Sequence, residues 1–548
     1  ARPPAARPLE HEEAVELLAA WRASSGPAAA EGRRLADGAP DGPDQVHISL
    51  GGPGEAVVVF MTSERNYPST VKWARAGEQM VNEATGEVST YSTYVCPTNT
   101  DLQRTPMGEA PAVPDAAVAA LVNSSAWLPE TSESYVHIAT DAEAWQHLDG
   151  MCIKYKNSLA YYQSPYIHTV TLSGLEPRAK YDYSPGTGGR KFTFTTPPAA
   201  GSSEPGKPFR MGVWADVGIT NVSFSVMQHV LSTQPELLLL VGDYSYADGW
   251  SPRWETFGHM MEPLTSTVGM LGVPGNHEMA EGNYQGRDFI ERYPQPFRSS
   301  GSETPLWHSY EAGLVHVLSL CSYAPTGLGS PQYHFAAEDL QRVDRARTPW
   351  LVVQFHTPWY NSNEHHYQEG YKHQTDMEDL FLQHGVDIVF NGHLHSYERS
   401  YPVYKGAVNP CGIVHIVIGD AGNYEGPAQP WMDPQPLWSA FRESAFGAGM
   451  LTVYNGTHAD WEWKRVACVR RNPDASEVGP TYVWDGVSGP EGGPQCSTSN
   501  SNQRFDTADH TTLVRNTMAC LNRAVGDGPG LPTPAPAPAP EGRSGLLS

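Results

Sequence analysis

The stretch Leu237–Trp250, LLLLVGDYSYADGW, decides how the chain is read. Four leucines and a valine form a short apolar run, the pattern of a strand buried on both faces. The run breaks at Gly242, presents a carboxylate at Asp243 and sets a phenol, Tyr246, three positions on. Ligand sites in open α/β sheets form at the carboxyl ends of strands. The strand therefore reads as a pedestal with Asp243 at its top.

Other apolar strands in the second half end the same way. FRMGVWAD ends on Asp216, VGMLGVPGNHE on Asn276 and His277, PWLVVQFH on His356, and VDIVFNGHLH on His393 and His395. Helical patterns such as VSFSVMQHVLSTQ, ETFGHMMEPLTST and TDMEDLFLQHG alternate with them, which implies an α/β layered domain. The donors are carboxylate, phenol, amide and imidazole without thiolate, a set suited to iron(III), manganese(II) or zinc(II). They exceed the needs of one ion and suit two metals sharing a carboxylate, an arrangement used for phosphoester hydrolysis. Taken singly, Asp243 is as readily a turn residue, Tyr246 a half-buried tyrosine, GNHE a turn and GHLH a surface pair. The argument lies in five motifs in order, each after an apolar strand. Glycines before Asp243, Asn276 and His393 allow close backbone approach there.

Upstream the texture is different. Short runs such as AVVVFMTS, STVKWARAG, VSTYSTYV and RKFTFTTPP, separated by Gly/Pro turns, indicate a β-sandwich. The expected organisation is an N-terminal arm over 1–45, partly helical or loose; a sandwich over 46–198 with an insertion at about 96–163; a catalytic domain over 199–470; and an extension over 471–548. Thr196–Pro208 reads as a linker. In the extension, TTLVRNTMACLNRAV reads as a short helical piece and PTPAPAPAPEG as a disordered tail.

A formal net charge of −24 disfavours nucleic acid and anionic membranes as partners. It suits work in acid, where protonating some of the 60 carboxylates relieves repulsion. No apolar run approaches the ~20 residues that span a bilayer. A start at Ala1 rather than Met implies a removed signal segment or a fragment. With sequons at Asn123, Asn221 and Asn455, this leans towards a secreted or vacuolar protein. The seven cysteines contain no CxxC pair, and Cys321, ending the apolar LVHVLSLC, is the expected free thiol. Trp461 and Trp463 alternate as strand packing residues.

ADVG, GDYSY, GNHE, VQFH and GHLH resemble the five ordered motifs of the purple acid phosphatases. TPWYNSNEHHY, HLHSYERSYPVY, VIGDAGNYEG and SAFRESAFGAGML resemble the large plant-type members, and the likeness covers roughly 45–95 and 160–468. The resemblance implies a four-layer αββα metallophosphoesterase sandwich preceded by a fibronectin-III-like domain. It implies iron(III) held by Asp216, Asp243, Tyr246 and His395. A divalent zinc, manganese or iron would be held by Asp243, Asn276, His356 and His393, with Asp243 bridging. His277, His365 and His366 would contact substrate and supply a proton to the leaving group, while a metal-bound hydroxide attacks phosphorus. One departure is Ala448, where the family commonly has histidine, and this puts outer tuning of the site in doubt. The implied activity is acid hydrolysis of small phosphate monoesters by a monomer or homodimer. Alternatives are a phosphodiesterase or nucleotide pyrophosphatase, a phytase using Lys372 in the lining loop, and a non-catalytic secreted binding protein.

Overall fold

The leucine run is the strand Leu237–Val241, buried at every residue. Its side chains alternate between two cores, as a pleated strand requires. Leu238 and Leu240 join Met227, Val230, Phe257 and Met260, which belong to the helices Asn221–Ser232 and Arg253–Thr265. Leu237, Leu239 and Val241 join Val317, Val352 and Phe390 of a second sheet. This computed structural model describes residues 42–95, 160–187, 189–248, 251, 253–279, 286–466, 469–471, 482–484 and 505–515.

In the first sheet the strands Phe209–Trp214, Leu237–Val241 and Met270–Val273 run parallel. The second sheet has a parallel centre of Val315–Ser319, Trp350–Gln354, Ile388–Asn391 and Val414–Ile418. Its outer face packs on the helices Pro331–Arg342 and Tyr371–His384 through Phe335, Leu340, Met377 and Phe381. The result is the expected four-layer αββα sandwich. Both parallel centres end at one rim.

The N-terminal all-β region pairs Asp44–Leu50, Ala56–Thr62 and Tyr166–Leu172. It faces them with a sheet in the order Phe192–Thr195, Lys180–Pro185, Thr70–Arg75, Asn82–Thr85. Ser49 pairs in parallel with Met270, so one ten-stranded sheet runs from this region into the catalytic layers.

One expectation is corrected. The helical reading of Thr511–Val525 gives way, over its described part, to the strand Phe505–Val514 paired with His458–Val466. β-Branched Thr507, Thr511, Thr512 and Val514 favour that strand. Asp509 anchors it by accepting from Tyr397 at 2.6 Å and Arg399 at 2.7 Å. The N-terminal helix, the bulk of the 96–163 insertion and the Pro/Ala tail lie outside the described residues. Cys321 is buried and free, and Cys411 is disulfide-bonded. Trp461 and Trp463 are fully buried packing residues, whose indoles donate to Tyr397 and Asp420, each at 2.7 Å. Ala448 fills a place in the first sheet's hydrophobic core.

Candidate metal centre

The loops leaving the two parallel centres converge. The first sheet delivers Asp216, Asp243, Tyr246 and Asn276, and the second delivers His356, His393 and His395. Asp216, Asp243, Tyr246 and His393 have positive φ angles of 59, 53, 52 and 68°. Left-handed backbone at non-glycine residues costs on the order of 1–3 kcal/mol each and is held only where surrounding contacts fix it. Glu278 supplies one such constraint, accepting from the backbone N–H groups of Asp243, Tyr244 and Gly275 at 2.8, 2.9 and 2.9 Å. Gly242, at φ 90°, and Gly392 are required by closeness: a Cβ on either would stand 2.3 and 2.8 Å from His356 Nδ1.

All seven residues named from the strand ends gather here. Asp243, His356 and His393 form one group whose ligand atoms lie within 4.8 Å of one another; Asp216, Asp243 and His395 form a second, and Asp243 belongs to both. Asn276 Oδ1 lies 3.2 Å from His356 Nε2 and 2.8 Å from His393 Nδ1. The Tyr246 hydroxyl lies 3.2 Å from Asp216 Oδ1 and 2.9 Å from His395 Nε2.

Hydrogen bonds on the far side set the tautomers. His356 Nδ1 donates to the Val241 carbonyl at 2.7 Å, which leaves Nε2 with a lone pair facing the cluster. His393 Nε2 gives its proton to Glu369 at 2.7 Å, which leaves Nδ1 facing Asn276. Outer carboxylates and carbonyls commonly orient metal-bound imidazoles in this way. Asp243 Oδ2 is buried and has no hydrogen-bond partner among the described residues, although His356 Nε2 stands 2.9 Å away. An imidazole nitrogen and a carboxylate oxygen at that distance, both buried, converge on a common point. That is the arrangement a cation fits.

The comparisons with known proteins agree with this geometry. A family model described as calcineurin-like phosphoesterase matches residues 217–397, and one described as iron/zinc purple acid phosphatase-like protein C matches 412–471. Purple acid phosphatase 18 of Arabidopsis thaliana is 40% identical over 359 residues, covering 65% of this chain and 79% of the relative. The chain belongs to the purple acid phosphatase family. Fe(3+)-Zn(2+) purple acid phosphatase 12 of the same plant is 37% identical over 59% of this chain and 72% of its own length. In fold, the chain matches a purple acid phosphatase from yellow lupin (Lupinus luteus) seeds with a TM-score of 0.64, at 19% identity, covering 91% of this chain and 78% of that one.

Around this family's metal rim, the three expected substrate histidines take different positions. His277 is buried, its ring 3.9 Å from that of Tyr246 and its Nε2 3.8 Å from Asp243 Oδ2. Its Nδ1 binds Asp248, which also accepts from Tyr424 at 2.6 Å. Burial opposes a charge on His277, but Asp248 and then Asp243 outweigh it and raise the imidazole well above its usual range. His366, at φ 55°, is bound through Nδ1 to Glu369 at 3.0 Å, and its ring lies 4.0 Å from His393. The ring of His365 lies 6.2 Å from that of His366.

Sequence reasoning missed Glu369, Asp248 and Glu278. Glu278 lies inside the quoted GNHE and Asp248 inside the opening stretch, so their positions were on view. Glu369 follows His366 by three residues, a spacing that lets it reach back to the ring. Lys372, with the loop histidines, is the residue the phytase alternative drew on. It is 77% exposed and bound to Asp376 on its own helix at 2.6 Å.

Proposed function

We propose that the chain hydrolyses small phosphate monoesters in acid, with iron(III) held by Asp216, Asp243, Tyr246 and His395 and a divalent zinc, manganese or iron held by Asp243, Asn276, His356 and His393. Family membership makes it a dimetal phosphatase; the residue assignment rests on two donor groups sharing one carboxylate, Asp243. A phenol, carboxylates, an amide and imidazoles form a hard-to-borderline donor set that fits these ions. When bound, such a pair supplies an acidified water and neutralises phosphate charge.

The rest of the chemistry falls to the chain. Asp248 holds the His277 Nδ1 proton, so Nε2 faces the rim and can carry a proton to a phosphate or leaving-group oxygen. Glu369 binds both His366 and His393, which ties a substrate-side ring to a ligand ring. Among the described residues His366 Nε2 makes no hydrogen bond, which leaves it open to a leaving-group oxygen. His365 adds a polar contact at the mouth.

The exposed sequon at Asn455 and the bonded Cys411 support a secreted or vacuolar setting, where disulfides persist. A glycosidase should therefore lower the mass of native protein; an unchanged mass would count against that setting. For the activity, the test is hydrolysis of a monoester, a diester and phytate across pH, before and after chelation. The monoester should be the preferred substrate, with rates highest in acid and lost on metal removal. Activity that survives complete metal removal would refute the reading.

A further inference from the structure

Three of the four residues of the divalent site are each held by an outer partner. Asp243 Oδ1 accepts from the His277 N–H at 2.9 Å. His356 Nδ1 is held by the Val241 carbonyl at 2.7 Å, and His393 Nε2 by Glu369 at 2.7 Å. Asn276 is the fourth, and its amide poses a different problem. The two ends of the amide have nearly the same shape, but only Oδ1 carries lone pairs for a cation, while Nδ2 carries two protons. A half-turn of the side-chain amide would replace a ligand with a donor.

Tyr323 meets this amide. Its hydroxyl donates to Asn276 Oδ1 at 3.2 Å and accepts from Thr357 Oγ1 at 3.1 Å. Thr357 directly follows His356, and its backbone N–H donates to Ser322 Oγ at 2.9 Å. Gln332 grips the start of the same segment twice: its Oε1 accepts from the Cys321 N–H at 2.7 Å, and its Nε2 donates to the Cys321 carbonyl at 3.0 Å. The Tyr323 ring lies 6.2 Å from that of His356. The phenol is thus carried by a segment clamped at Cys321 and Ser322, and it gives its proton to the one end of the amide that can accept it.

We propose that Tyr323 is a positioning residue that holds Asn276 Oδ1, rather than Nδ2, towards the divalent ion, with Thr357 fixing the direction of the Tyr323 O–H bond. This rests on Asn276 being a ligand of that ion. An amide oxygen has two lone pairs, so it can accept from Tyr323 and still offer one to a cation. Outer partners of metal ligands typically contribute about 10–100-fold in affinity. A neutral hydrogen bond of 3.2 Å belongs at the lower end of that range.

The test is the dissociation constant of zinc(II), read by competition with a chromophoric chelator on full-length protein that keeps its iron, with the visible band as a separate report on the iron site. Tyr323→Phe should weaken zinc about 10-fold and leave the band in place. The comparison that isolates orientation uses Asn276→Asp. A carboxylate offers lone pairs at both ends, so a half-turn no longer matters, and in that background Tyr323→Phe should cost less than about 2-fold. Thr357→Val keeps the phenol and should weaken zinc about 3-fold in the parent but not in Asn276→Asp, so the comparison stands even where Tyr323→Phe does not fold. Equal losses in the two backgrounds would mean a packing role and overturn the proposal. So would zinc bound as tightly by Tyr323→Phe as by the parent, or a visible band lost with Tyr323. A parent that takes up no zinc beside its iron would refute the divalent-site assignment itself, and the proposal with it.

Discussion

Two sets of buried histidines lie on either side of the strand Trp350–Gln354 and the Phe355 that follows it. His356, His393 and His395 stand at the rim, each ring within reach of carboxylates. His373 and His415 stand behind it, His373 4.5 Å from Phe355 and 5.2 Å from Trp359, and His415 5.7 Å from Trp359 and 4.7 Å from Tyr360. Among the described residues, neither ring nitrogen of His373 or His415 has a hydrogen-bond partner, and burial lowers both to about 3. At His356, burial pulls the same way but Asp243 and Asp216 reverse it, to about 9. Burial alone therefore does not make a histidine a ligand. What separates the sets is whether a carboxylate reaches the ring, Asp243 at His356, Glu369 at His393 and Asp216 at His395, although at His393 burial still prevails and lowers the imidazole to about 4.

The sharpest way to break this comparison is to exchange the roles of its members. His356→Ala should lose the divalent metal and lower activity by more than about 100-fold, beyond the ~10–100-fold typical of an outer partner. His415→Phe should leave both metals and turnover within a few-fold of the parent. Equal metal loss in the two variants would erase the distinction.

A second test divides ligands from substrate contacts on the rim itself. His366→Ala should keep both metals, and its rate should fall by about 10²–10⁴-fold on alkyl phosphates, the usual range for a lost general acid. The defect should be small on aryl phosphates whose phenols leave without a proton. The same defect on both classes would remove the acid role.

The smallest effect concerns acid stability. His373 and His415 have folded values near 3, below the roughly 6.5 of an exposed histidine. Between those limits the unfolded chain binds protons that the folded one refuses, so stability falls as pH falls. The slope is about 1.4 kcal/mol per pH unit for each ring. His415→Phe should therefore resist urea relatively better at pH 4 than at pH 7. An unchanged difference between the two pH values would show that the ring is not held neutral.

The rim was legible because each proposed ligand follows an apolar strand and offers its own side chain. Asp216, Asp243, Asn276, His356 and the His393/His395 pair need only local pattern to be found. Glu369 and Asp248 were not singled out because they act through other residues, and an outer partner has no strand to announce it. The strand Phe505–Val514 was missed because its partner, His458–Val466, lies far away in sequence and the pairing depends on Asp509 meeting Arg399.

The central claim is that two metals share Asp243 and that Tyr246 binds iron(III) as phenolate. Metal analysis combined with the visible spectrum of purified protein and of Tyr246→Phe tests it most directly. The parent should carry two metals per chain, one of them iron, with an absorption band in the visible, and the variant should lose that band. One metal equivalent or less in fully loaded protein, zinc alone at both positions, or a band that survives in Tyr246→Phe would contradict it.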